Sequence, residues 1–194
     1  MILPIVAYGD IVLRKKGIDI DKDYPFLKEL IDNMFETMYN ASGVGLAAPQ
    51  IGKAIRLFIV DASPFYDLED YHEDEQEYIK NFKKVFINAE IIEEEGEEWA
   101  FNEGCLSIPG INEDVNRQPT IRIKYVDENF EPHEETLTGI VARIVQHEYD
   151  HIDGVLFTDK ISNFKKRLVK GKLEKISKGQ VKVEYPMTFP NAKR

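Results

Sequence analysis

The chain has 194 residues, 43% hydrophobic and 31% charged, and a formal net charge of −10. This profile suits a single folded domain over 1–194 and excludes a disordered chain. The acidic balance excludes a surface built to coat DNA, and no run reaches the roughly 20 apolar residues of a membrane span.

In chain order, residues 24–40 are predicted to form a first helix. Phe26, Leu27, Leu30, Ile31, Met34, Phe35 and Met38 recur at three- and four-residue spacing. Gly43-Val44-Gly45-Leu46-Ala47-Ala48-Pro49-Gln50 follows, a loop whose two glycines allow close backbone approach to a ligand. Residues 55–61 and 85–92 read as buried strands, and 120–126 alternates as a half-buried strand. Between the first two, residues 67–77 carry seven carboxylates and read as an exposed, mobile loop. His72 in that stretch, and His133 beside Pro132 in an expected turn, read as surface histidines. A second helix is expected over 136–152, stopped at Gly154. A third, over 159–177, should carry Ile161, Phe164, Leu168 and Val169 on one face. Strands grouped around a central helix, without repeated βαβ units, point to an α+β fold.

The charge is unevenly spread. Residues 160–194 carry a balance of +9, and residues 1–159 one of −19. The basic end reads as a solvated Lys-rich helix or as a tail that docks on polyanionic RNA.

Chemistry concentrates in Gln146-His147-Glu148-Tyr149-Asp150-His151. Residues four apart on a helix are separated by about 400° of rotation, so both imidazoles leave one face and converge on one ion. Glu148, about 100° round from His147, reaches a metal-bound water without becoming a ligand. Ile140 and Ile144 share the stripe, so the histidine face points inward. A catalytic site of this kind has three protein ligands and an open position. The third ligand is Cys105, a carboxylate or another histidine. Cys105 is the favoured candidate, the only thiol and flanked by Gly104 in Glu103-Gly104-Cys105-Leu106-Ser107. With one cysteine no intramolecular disulfide forms, and the first ten residues lack a basic then apolar leader. Both features point to the cytoplasm, where a thiol stays reduced. Gln50 is able to donate a hydrogen bond to a developing oxyanion. Three rival readings remain: an HExxH peptidase with a Glu or His third ligand, a His2Cys electron-transfer copper site, and a structural zinc site.

Taken in order, GVGLAAPQ (43–50), EGCLS (103–107) and QHEYDH (146–151) resemble the three signature motifs of the peptide deformylase family, with similarity over roughly residues 1–160. The resemblance implies an α+β fold of antiparallel and mixed strands around the HExxH helix, with a C-terminal helix. It implies hydrolysis of the N-formyl group of formyl-methionyl nascent peptides, with release of formate. It places the metal ligands on Cys105, His147 and His151, the general base on Glu148, and the oxyanion contacts on the Gln50 side chain and the Leu106 N–H. Substrate contacts fall on Val44, Gly45, Glu103, Gly104, Ile140 and Ile144. The implied cofactor is one divalent ion, ferrous iron in the cell, with zinc, nickel or cobalt able to replace it. Some relatives dock on the ribosome through a C-terminal helix, which gives 159–194 a possible role. Two departures stand out. The acidic stretch within 61–84 reads as an insertion relative to the shortest members. Many members carry an arginine shortly after EGCLS that binds the peptide backbone, whereas here the nearest is Arg117.

Overall fold

In the computed structural model, which describes residues 1–67 and 72–192, the elements follow in this order: β1 (Ile5–Val6), α1 (Leu27–Asn40), β2 (Gly45–Ala47), β3 (Leu57–Asp61), α2 (Glu73–Lys80), β4 (Lys83–Glu95), β5 (Trp99–Cys105), β6 (Ile108–Arg117), β7 (Thr120–Val126), β8 (Pro132–Thr138), α3 (Gly139–Ile152), α4 (Phe157–Lys160), α5 (Asn163–Ser177) and β9 (Met187–Thr188).

The run Leu57-Phe58-Ile59-Val60 is fully buried, and a strand apolar on both faces needs a layer on each side. Strand alternation divides the run accordingly. Leu57 and Ile59, with Val85 and Ile87, pack against Leu30, Ile31, Met34 and Met38 of α1. Phe58 and Val60, with Phe86, Ile121 and Ile123, pack against Ile140, Val141, Ile144 and Val145 of α3. Each such side chain taken out of water stabilises the layer by roughly 1.5–3 kcal/mol. The sheet between the helices runs β2-β3-β4-β7-β8, antiparallel throughout. This is the α+β architecture expected from the sequence.

Two smaller pairings lie outside this sheet. Strands β5 and β6 form a separate antiparallel hairpin. The C-terminal strand β9 returns to pair in parallel with β1, Ile5 opposite Met187 and Val6 opposite Thr188. A third apolar cluster joins Val169, Leu173 and Ile176 of α5 to Ile108, Ile111 and Val115 of β6 and to Leu156 and Phe157.

Several expectations need correcting. Of the stretch 67–77, residues 68–71 lie outside the described residues, but 73–80 form helix α2 rather than loop. Glu73, Asp74 and Glu75 occupy its first turn, where negative charge complements the helix dipole. Glu75 also accepts from the His72 N–H, and Ile79 is buried. His72 is exposed, as expected. His133 lies in β8 rather than a turn, its ring stacked on Tyr125 at 5.0 Å and its Nε2 2.9 Å from Asp127. The third helix breaks into α4 and α5, because Ile161 is extended and the Ser162 side chain caps a new N-terminus. Its buried face is Val169, Leu173 and Ile176, while Phe164 and Leu168 are exposed.

Candidate metal centre and its cleft

Helix α3 opens at Gly139, whose φ of 58° turns the chain sharply out of β8. From there Ile140, Ile144, His147 and His151 descend one face of α3 at spacings of four, three and four. The hairpin β5–β6 brings the second motif to them. Its register slips between Gly104 and Cys105, and this irregularity ends the strand with Cys105 Sγ 3.3 Å from His151 Nε2. The ligand atoms of Cys105, His147 and His151 all lie within 4.8 Å of one another. A thiolate with two imidazoles is a donor set suited to a borderline divalent transition metal, and this spacing fits one ion.

The surroundings give each histidine a defined role. His147 Nδ1 lies 3.0 Å from Glu103 Oε2, so Nε2 is the nitrogen left for the cluster. Glu103 is in turn gripped by Arg117, which donates to both of its oxygens at 2.7 and 3.0 Å, and by Arg143 at 2.9 Å. All three side chains are buried. Burial alone would raise the Glu103 carboxyl, but His147 and Arg117 outweigh it and hold the group well below its usual range. Burial would lower His147, yet Cys105 and Glu103 beside it raise it instead. For His151, burial and the neighbouring His147 both act downward and keep the ring neutral, the form in which an imidazole binds a metal.

Glu148 is set apart from this network. Its side chain is buried and Oε2 has no hydrogen-bond partner among the described residues, and burial pushes its carboxyl up to about 7. Gly45 makes room for it, since a Cβ at residue 45 would stand 2.6 Å from Glu148 Cδ and Cγ. Gln50 is 1% exposed. Its Oε1 accepts from the Ala47 N–H at 2.8 Å, which turns Nε2 toward Cys105 Sγ (3.5 Å) and Ser107 Oγ (3.4 Å).

These groups open on a cleft of about 820 Å³, lined in part by Val44, Gly45, Gly104, Leu106, Ile140 and Ile144. Every site residue expected from the sequence borders this cleft or the cluster. Glu103 borders it too, but its carboxylate is taken up by His147 and the two arginines. Arg117 faces inward, with Nη1 on Asp150 at 2.7 Å and Nε and Nη2 on Glu103. Sequence reasoning missed the buried clamp of Arg117 and Arg143 and the cleft residues Val183 and Tyr185. A signal existed for Arg143, a charge set between Ala142 and Ile144 on an otherwise apolar turn, which needs a buried partner.

Two imidazoles and a separate carboxyl on one helix, with a thiol brought to them from a neighbouring strand, are the arrangement of a metal-dependent hydrolase. Comparison with known proteins narrows that class. The sequence model of the polypeptide deformylase family matches residues 2–167. The chain is 64% identical to a peptide deformylase of Christiangramia forsetii, over 100% of this chain and 99% of the relative. It is 61% identical to that of Flavobacterium johnsoniae, over the same shares. Among solved structures, the Legionella pneumophila peptide deformylase superposes with a TM-score of 0.77 at 38% identity, covering 93% of this chain and 98% of that one. The chain belongs to the peptide deformylase family, metalloenzymes that hydrolyse the N-formyl amide of nascent peptides.

Proposed function

We propose that this site removes the formyl group of N-formyl-methionyl nascent peptides through the residues assembled in the cleft, with the whole chain as one catalytic domain. The observation that carries the reading is Glu148, a buried carboxyl whose Oε2 is unpartnered among the described residues, beside a Cys-His-His donor set. Cys105, His147 and His151 hold the metal. When bound, a divalent ion supplies Lewis acidity toward the formyl carbonyl and acidifies the attacking water.

The chain's own residues do the rest. Glu148 takes a proton from the water as its oxygen bonds to the formyl carbon, then delivers that proton to the departing amine as the C–N bond breaks. The products are formate and a free N-terminus. Gln50 Nε2 and the Leu106 N–H stabilise the charge that develops on the formyl oxygen. Gly45 admits the Glu148 carboxyl, and Val44, Ile140 and Ile144 provide an apolar seat for the methionine side chain. Burying that side chain contributes roughly 1.5–3 kcal/mol to specificity. Glu103 acts by fixing His147, and with Gly104 it shapes the floor of the cleft.

Ferrous iron is the proposed resident ion, with zinc, nickel or cobalt able to substitute. Support comes from the thiolate and two imidazoles, which suit all four. The single thiol is consistent with a cytoplasmic setting. The basic residues of α5 support docking on ribosomal RNA, since Arg167, Lys170, Lys172 and Lys175 are exposed. Among the described residues no helix is long and apolar enough to cross a membrane.

The test is an assay of formyl-Met-Ala-Ser with protein purified anaerobically. Formate and a free amine should appear in equal amounts, with the internal peptide bonds intact. Internal cleavage, or no formate, would contradict the proposal.

A further inference from the structure

The family model ends at residue 167, yet the chain beyond α5 does not leave the molecule. After Gly179 it runs back along the cleft, bending at Val181 and at Glu184–Tyr185, before β9 joins β1. Val181, Val183, Tyr185, Met187 and Phe189 are half-buried, and Lys182, Glu184, Pro186 and Thr188 between them are exposed. Every second side chain thus turns to the protein. Val181, Met187 and Phe189 pack on the α5 cluster, and Tyr185 and Met187 on the α1 cluster, so the segment is fastened at both ends. Its middle, Lys182 to Tyr185, lines the same cleft as His147 and Glu148.

Two further observations give the segment a task. The Tyr185 hydroxyl donates to the Leu106 carbonyl at 2.8 Å, in the turn whose N–H is assigned above to the oxyanion. The volume of about 820 Å³ lies in the range of roughly 300–1,000 Å³ that holds ligands of drug size, so the cleft has room for several peptide residues.

We propose that residues 182–185 form a wall of the substrate cleft, with Tyr185 positioning the Leu106 turn and Val183 and Glu184 meeting the peptide beyond its first residue. The proposal rests on the deformylase reading above. The segment has two consequences. By holding the Leu106 carbonyl, Tyr185 sets the peptide plane on the far side of that residue and steadies the turn from which its N–H points. By bringing an exposed carboxylate to the rim, Glu184 favours substrates with basic residues downstream of the methionine.

The test uses the full-length, metal-loaded protein. Tyr185→Phe keeps the ring and its packing and removes one hydrogen bond. It should lower kcat roughly three- to tenfold with KM and thermal midpoint nearly unchanged. Glu184→Lys alters an exposed side chain and leaves packing alone. Its kcat/KM ratio between formyl-Met-Ala-Ser-Asp and formyl-Met-Ala-Ser-Lys should move about twofold or more toward the Asp peptide, with formyl-Met amide unaffected. Wild-type kcat in Tyr185→Phe would overturn the positioning role. An unchanged ratio in Glu184→Lys, or an equal change on formyl-Met amide, would overturn the wall. Failure of the wild type to release formate from any of these substrates would instead strike the deformylase reading.

Discussion

Gly45 and Glu148 are in contact inside the cleft, and the glycine's missing side chain is the space the carboxylate occupies. A Cβ there would lie 2.6 Å from Glu148 Cδ and Cγ, closer than two carbons approach without displacement. Gly45→Ala should therefore push the carboxylate aside while leaving Cys105, His147 and His151 in place. A displacement of about 1 Å in a reacting group costs on the order of a hundredfold in rate. Steady-state kinetics beside metal analysis should show kcat falling by about that factor at full metal content.

Glu103 is the joint between His147 and the buried arginines. Glu103→Gln removes the charge that faces Arg117, Arg143 and His147 together. Breaking a buried ion pair from one side costs about 3–5 kcal/mol, and loss of a ligand's supporting partner typically weakens metal binding about 10–100-fold. Denaturant unfolding and chelator competition should both register the change. A variant of unchanged stability and metal affinity would show the clamp to be idle.

Away from the site, Glu135 accepts from Lys84 at 2.6 Å and from Tyr125 at 2.7 Å. Burial pushes its carboxyl up, but Lys84 and Tyr125 prevail and leave it below the ordinary 4.5. A carboxylate depressed in the folded state adds stability above its unfolded value, and that stability is lost as pH falls through the folded value. Glu135→Gln should thus be less stable than wild type at pH 7, by on the order of 1 kcal/mol given its partial exposure. The gap should close in acid below the usual glutamate range. An equal gap at pH 7 and in acid would refute the charge-based explanation.

Charge reversal on α5 tests the proposed ribosome contact. Arg167→Glu, Lys170→Glu and Lys175→Glu replace exposed side chains, so the fold should hold. Co-sedimentation with ribosomes should fall steeply at low salt, and the difference from wild type should narrow as salt is raised, because screening weakens the wild-type phosphate contacts too. Deformylation of a short free peptide should not change.

The parts of the fold that were legible in the sequence are those where burial imposes a period. Strand β7 falls on 120–126 as expected, because Ile121, Ile123 and Tyr125 alternate with charged residues. Helix α3 was anticipated from the apolar stripe that also carries the histidines. Its start was placed three residues early, since Thr136-Leu137-Thr138 complete β8 first. Helix α1 likewise begins at Leu27 rather than residue 24, because Phe26 has a φ of 57° outside the helical region. The hairpin β5–β6 escaped notice because Asn102, Glu103, Gly104, Asn112 and Asp114 are poor strand formers. Pairing and the buried Glu103–Arg117 contact hold it, and neither leaves a periodic trace. The C-terminal segment did leave one, in Val181, Val183, Tyr185, Met187 and Phe189, but the lysines around it drew attention to charge instead of alternation. The cluster of Cys105, His147 and His151 was legible as residue types, whereas the clamp behind it depends on contacts between residues 14 to 44 apart.

The central claim is that Glu148 moves the proton and does not hold the metal. It is tested most directly by Glu148→Ala, purified anaerobically and assayed for bound metal and for formate release from formyl-Met-Ala-Ser. The account predicts one equivalent of metal, as in wild type, with formate release reduced by about 10²–10⁴-fold, the usual contribution of a general base. Near-wild-type turnover, or loss of the metal together with activity, would contradict it.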